Sequence, residues 1–313
     1  MVISVEAKIP EALLELIDDP SITDICLSAG FTQVDSGSGL SEATKLALTE
    51  QELSNLAKDL IELGGRRLDQ ANPFADVSLP GGLRVHAVLK SACTESTLVS
   101  IRLHSTDPKK LSALLTDRFA TAAQFELIQE IATSGQSFLI TGATGTGKTT
   151  LLRAMLSETG ERVIAVEDVT ELSGNNVICL QTKPKNIEGV GEITLEDLVR
   201  QALRMRPDRI CIGEVRGPEL VPMLQALNTG HRGATTLHAN SLEQVPERLL
   251  SIAMQQGMNE QTLSRLVASA FDWVIALSKQ AGRRSVSGIG KFEVVDNKLQ
   301  VVSTLRNRKL QLA

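Results

Sequence analysis

Lys148 and Thr149 close the run Gly142-Ala143-Thr144-Gly145-Thr146-Gly147-Lys148-Thr149, which fits the phosphate-loop spacing G-x-x-x-x-G-K-[ST] with no mismatch. Glycines let backbone N–H groups converge on one anion, and a helix opening at the end of the loop adds its positive dipole end. Lys148 would reach β- and γ-phosphates, and the Thr149 hydroxyl would hold Mg²⁺. Residues Gly142 to Thr150 are therefore the candidate nucleotide contacts, Thr150 included. The chemistry implied is binding of a nucleoside triphosphate.

Three further clusters each end an apolar run. Asp208-Arg209-Ile210-Cys211-Ile212-Gly213-Glu214-Val215-Arg216 puts an acid and an arginine after a short strand. Glu214 is expected at the strand's carboxyl end, the ligand edge of an open α/β sheet, with that strand lying beside the strand of the phosphate loop. There it would polarise the attacking water as general base and hold Mg²⁺ through water. Val163-Ile164-Ala165-Val166-Glu167-Asp168 gives a second acid, Glu167. The segment Thr229 to Ser241 carries two histidines among turn residues. His238 follows a strand and is read as a γ-phosphate sensor, while His231 is left open between a sensing and a structural role.

These residues need elements to position them. Ser137–Thr141 reads as a buried strand and Lys148 to about Thr159 as a helix with Leu151, Leu152, Met155 and Leu156 inward. Further strands are expected at 162–167, 177–181, 209–213, 233–238 and 272–277, with helices between several of them. That alternation implies a predominantly parallel sheet covered by helices, over residues 122–313. Thr194-Leu195-Glu196-Asp197 and Ser241-Leu242-Glu243-Gln244 are each expected to cap a helix. Residues from Gly282 onward read as a terminal hairpin. Residues 1–105 read as a smaller α+β domain. In it Thr49 opens a helix burying Leu53, Leu56, Ala57, Leu60 and Ile61, a hairpin turns at Pro80-Gly81-Gly82, and a strand covers 97–103. Residues 106–121 read as a linker.

Composition narrows the classes. The chain has 313 residues, 42% hydrophobic and 22% charged, as in globular proteins. No apolar run approaches the ~20 residues that cross a bilayer, and the N-terminus carries no signal-peptide pattern, so a cytoplasmic protein is expected. Net charge −5 and 3% aromatics count against a nucleic-acid partner. Cys26, Cys93, Cys179 and Cys211 form no C-x-x-C pair, which counts against a zinc knuckle and reads them as small core residues.

The runs Leu198–Asp208, Gly213–Gly217, Leu224–His231 and Leu237–Ser241 resemble the secretion ATPases of the type II/type IV superfamily, most of all the CpaF-like ATPases of Tad (Flp) pilus assembly. Their four boxes match Gly142–Thr149, Glu167–Asp168 with Glu171-Leu172, Ile210–Arg216 and Thr229–Ser241. The run Thr182–Glu192 also looks like this subgroup, although Lys183 stands where arginine is usual. The match is dense from about 122 to 278 and thinner before, where Ile22–Ile25, Gly65–Pro73, Leu79–Gly81, Arg84-Val85 and Ser100–Arg102 follow the pattern. Phe31–Gly39 departs from it, and the chain is expected to lack the long N-terminal extension of many Tad ATPases. The resemblance implies a RecA-like P-loop domain after the α+β domain, with ATP and Mg²⁺ as cofactors. It implies Lys148, Glu167, Glu214 and His238 as catalytic groups, and Arg84, Arg102, Arg204, Arg216 and His231 as phosphate-sensing or arginine-finger candidates. It further implies a homo-oligomeric ring, expected to be a hexamer, that works on inner-membrane platform proteins from the cytoplasmic face. A DNA-directed motor of the conjugative-transfer or helicase kind, and a nucleotide-gated scaffold without hydrolysis, remain alternatives.

Overall fold

The protein is described from a computed structural model, over residues 9–37, 39–43, 46–91, 94–103, 110–114, 119–183, 190–280 and 282–306. Cys93, much of the expected linker, and residues 184–189 of the Tad-like run lie outside the described residues. The chain divides into two compact units, Met1–Thr106 and Asp107–Ala313.

The first unit runs α1 (Glu11–Asp18), β1 (Asp24–Ser28), β2 (Phe31–Asp35), β3 (Leu40–Glu42), α2 (Glu50–Leu63), β4 (Phe74–Leu79), β5 (Leu83–Val88) and β6 (Leu98–Leu103). Its six strands form one sheet in the order β3-β2-β1-β6-β5-β4, antiparallel throughout. Alternate residues Ile25, Leu27, Val77, Val85, Val99 and Ile101 share a core with Leu53, Leu56, Ala57, Leu60 and Ile61 of α2. Full burial of such side chains is worth about 1.5–3 kcal/mol each. Helix α2 opens on a reciprocal cap. Glu52 Oε2 accepts from the Thr49 N–H at 2.8 Å, and Thr49 Oγ1 accepts from the Glu52 N–H. The segment that departs from the family pattern still pairs as β2 along β1.

The second unit runs α3 (Leu111–Leu114), α4 (Ala122–Thr133), β7 (Phe138–Thr141), α5 (Lys148–Ser157), β8 (Val163–Glu167), β9 (Val177–Gln181), α6 (Leu195–Ala202), β10 (Arg209–Val215), α7 (Leu220–Asn228), β11 (Arg232–Leu237), α8 (Val245–Met254), α9 (Glu260–Ala270), β12 (Trp273–Gln280), β13 (Arg283–Val295) and β14 (Lys298–Arg306). The sheet has the order β14-β13-β12-β7-β11-β10-β8-β9. Strands β12 through β9 in that order are parallel, and β13 and β14 are antiparallel. Strands β7 and β8 are buried at every position. Phe138 and Ile140 face the side covered by α4 and α5, and Leu139 faces the side covered by α6 to α9. Burial on both faces is why these strands read as unbroken apolar runs in the sequence.

Two expectations are corrected. Ser241 makes no capping hydrogen bond; a 3₁₀ turn over Leu242–Gln244 intervenes, and Gln244 Oε1 accepts from the Asn240 N–H at 3.2 Å. The strand carrying Glu214 is not beside β7, because β11 lies between them. Thr194, by contrast, caps α6 as expected, with Asp197 returning the bond. Of the cysteines, Cys211 is buried, while Cys26 and Cys179 are only half-buried.

Candidate nucleotide site

Strand β7 delivers the chain to the loop of residues 142–147, which passes into α5 at Lys148. The loop turns through left-handed backbone at Gly145 (φ +75°) and Gly147 (φ +94°), a conformation that glycine adopts without cost. Thr146 is buried and donates its hydroxyl to the Ala143 carbonyl at 2.8 Å, closing the turn from within. Ala143, Thr144, Gly145 and Thr150 are exposed, while Thr149 is half-buried at the first turn of α5.

The parallel strands end at one edge, and three ionisable residues line up there in strand order. Lys148 follows β7, His238 follows β11, and Glu214 lies near the end of β10. Lys148 Nζ lies 3.3 Å from the Ala143 carbonyl oxygen and 3.4 Å from His238 Nε2. His238 Nε2 in turn lies 3.2 Å from Glu214 Oε1. One imidazole nitrogen thus meets an amine on one side and a carboxylate on the other. Desolvation, then the Lys148 charge, lowers the His238 pKa below its ordinary value; Glu214 opposes this, and Arg248 and Arg216 add to it. The ring is accordingly neutral near pH 7, so a proton on Nε2 serves Glu214 and a bare Nε2 serves Lys148. Burial lowers the Lys148 pKa too, against the attraction of Glu214 and Glu171.

Glu167 ends β8, one strand beyond β10. It is 5% exposed, and its Oε2 accepts from the backbone N–H groups of Glu171 at 3.1 Å and Leu172 at 3.0 Å. Burial dominates those donors and pushes the carboxyl up to about 7. Gly213 makes room for it: a Cβ there would stand 2.9 Å from Glu167 Cγ and Oε1. The next loops are tied by an ion pair between Arg216 and Asp168.

Two other candidates of the second unit lie apart. Arg204 and His231 precede β10 and β11 instead of following them, which puts them at the opposite edge of the sheet. His231 Nδ1 lies 3.2 Å from the Ala226 carbonyl at the end of α7. In the first unit Arg84 and Arg102 are directly opposed on β5 and β6, and Arg102 Nε donates to Asp24 at 2.9 Å.

Several supporting residues were not singled out by the motifs. Buried Glu219 accepts from the N–H groups of Arg216 (2.6 Å) and Gly217 (2.8 Å), fixing the turn after β10. An acid three residues beyond an arginine that follows a strand is the local signal that would have found it. Thr236 donates to the Gly213 carbonyl at 2.7 Å and locks β11 to β10 beside Glu214. Arg284 of β13 donates to the Gly145 carbonyl at 2.9 Å, and nothing in the local sequence announces it.

The model of the family described as type II/IV secretion system protein matches residues 45–295. The chain belongs to that family. Among its relatives, a putative conjugal transfer protein of Mycobacterium tuberculosis, Rv3659c, is 38% identical over 301 residues, covering 92% of this chain and 86% of the relative. The type IV secretion system protein PtlH of Bordetella pertussis is 32% identical over 307 residues, covering 87% and 90%. The Legionella pneumophila ATPase DotB is similar in structure, with TM-score 0.61 and 23% identity over 92% of this chain and 83% of that one. So is the pilus retraction motor PilT with bound ADP, with TM-score 0.63 and 20% identity over 97% and 85%. At such identities these two speak for the fold, a RecA-like domain preceded by a smaller N-terminal one. No helix among the described residues of this family member is long and apolar enough to cross a membrane.

Proposed function

We propose that this member of the type II/IV secretion family is a Mg²⁺-dependent ATP hydrolase, working as a ring of identical chains to drive transport across the inner membrane. The observation that carries the reading is the row Lys148, His238, Glu214 beside the phosphate loop. The residues suit the ligands. Loop N–H groups and Lys148 would take the β- and γ-phosphates, and Thr149 with Glu214 would hold Mg²⁺, which when bound neutralises charge on the phosphate oxygens. Glu214 orients and deprotonates the attacking water. His238 then answers the charge on the γ-phosphate, since Lys148 turning from its Nε2 to phosphate frees that nitrogen. Glu167 and Arg216 are assigned to support of the metal, water and γ-phosphoryl charge; for Arg84 and Arg102 of the first unit the arginine-finger role is the one the family resemblance implies. Arg204 and His231 have no such support within their own unit.

The machine we assign is of the Tad/Flp pilus type, on the resemblance that is dense from about 122 to 278 and includes the run Thr182–Glu192. The partners are then membrane platform proteins met at the cytoplasmic face. A second reading, a conjugative-transfer motor acting on DNA, is favoured by relatives such as the M. tuberculosis conjugal transfer protein. Phosphate release from MgATP, measured across protein concentrations with and without single-stranded DNA, tests both. The ring reading expects activity per chain to rise with assembly. No release at any concentration sinks the hydrolase, and stimulation by DNA moves the assignment to the second reading.

A further inference from the structure

The phosphate loop is held from outside as well as from the strand it leaves. Antiparallel β12 and β13 pass along it. The Leu277 carbonyl of β12 comes so near that a Cβ on Gly142 would stand 2.7 Å from it. From β13, Arg284 reaches across the loop, with its Nε donating to the Gly145 carbonyl at 2.9 Å. Its Cδ lies 3.6 Å from the place of a Cβ on Gly147. In a loop whose N–H groups turn in toward phosphate, a carbonyl available to an outside donor belongs to the outer surface.

We propose that Arg284 is a positioning residue for nucleotide binding. Its hydrogen bond to Gly145 holds the loop, before ligand arrives, in the shape whose N–H groups receive the phosphates of a nucleoside triphosphate. The inference deepens the nucleotide-site reading above and rests on it. The physical gain is preorganisation. Gly145 and Gly147 give the free loop many conformations, and ordering them at the moment of binding would be charged against affinity.

Side-chain lengths make the idea testable. Gln Nε2 stands at the same distance along its side chain as Arg Nε, so Arg284→Gln keeps the donor and loses the charge. Arg284→Lys keeps the charge and puts a methylene where the donor was. In the full-length protein, binding of a fluorescent ATP analogue is titrated, and backbone amide exchange of residues 142–149 is followed without nucleotide. Arg284→Ala and Arg284→Lys are expected to weaken binding about three- to ten-fold and to speed exchange of the loop. Arg284→Gln should stay within about two-fold of the parent in both. In turnover, KM for ATP rises while kcat holds. Equal binding by all variants overturns the proposal, as does a lysine variant that matches the parent while the glutamine variant fails. A parent protein that binds no nucleotide overturns the site reading and this inference together; a binding parent with an unchanged alanine variant overturns this inference alone.

Discussion

The two edges of the eight-stranded sheet use similar side chains in opposite ways. At the edge where β10 and β11 begin, Arg209 is completely buried. Its Nε donates to Glu161 at 2.6 Å, its Nη1 donates to the carbonyls of Gln136 and Gly233, and its guanidinium lies 5.4 Å over the Phe138 ring. Glu161 also holds Arg232 at 2.5 Å. At the edge where the strands end, Glu214 and His238 keep 35% and 37% of their side-chain surface open, and one nitrogen is shared between two partners. The first arrangement fixes its charges from several directions and can do only one thing. The second leaves its groups room to change partners, as the proposed binding of an anion requires. Charged residues alone therefore do not mark a site; the freedom of their partners does.

The contrast can be broken from either side. The largest effect is expected for Glu214→Gln, which should lower ATP hydrolysis on the order of 10³-fold while nucleotide still binds, measured by phosphate release and equilibrium binding. Arg209→Ala should act on stability, costing about 3 kcal/mol in denaturant unfolding, because Glu161 loses a buried partner. If that variant instead unfolds like the parent and only turnover suffers, the two edges are not divided as described. Gly213→Ala should cost about 1–3 kcal/mol and also slow hydrolysis, because the new methyl stands where Glu167 lies. The smallest effect concerns pH. Glu167 releases its proton near 4.5 in the unfolded chain and near 7 in the folded one. The folded state thus binds the extra proton across that window, and stability falls as pH rises through it. Glu167→Gln should flatten this fall by on the order of 1–2 kcal/mol between pH 5 and 7, read from unfolding midpoints.

The same two edges show what the sequence could tell. Strands β7, β8 and β10 were legible because sheets covered on both faces give continuous apolar runs. Lys148 was legible from the spacing of the glycine-rich loop, Glu167 and His238 because each comes at or just after the end of an apolar run, and Glu214 because it lies one residue before the end of its strand. Direction sorts the rest: His238 follows β11 and reaches the ligand edge, whereas His231 precedes the same strand and goes to the other. The order of strands was not legible, since nothing local to β11 says that it inserts between β7 and β10. Arg284 was hidden for a related reason. Its partner Gly145 is 139 residues away, and a lone arginine in a hairpin looks like any solvated charge. Ser241 misled because a good cap residue was bypassed by a 3₁₀ turn.

The Thr141 hydroxyl lies 3.1 Å from both the Leu237 and the Ala239 carbonyl oxygens, straddling His238. The strand that launches the phosphate loop therefore also clamps the backbone on either side of the imidazole. The backbone beneath the ring thus rides on β7 as well as on β11, and its place resists any distortion that does not separate the two strands. Under the hydrolysis proposed above, the imidazole would answer the phosphate by rotating its side chain, while the backbone beneath it stays tied to the strand that launches the loop.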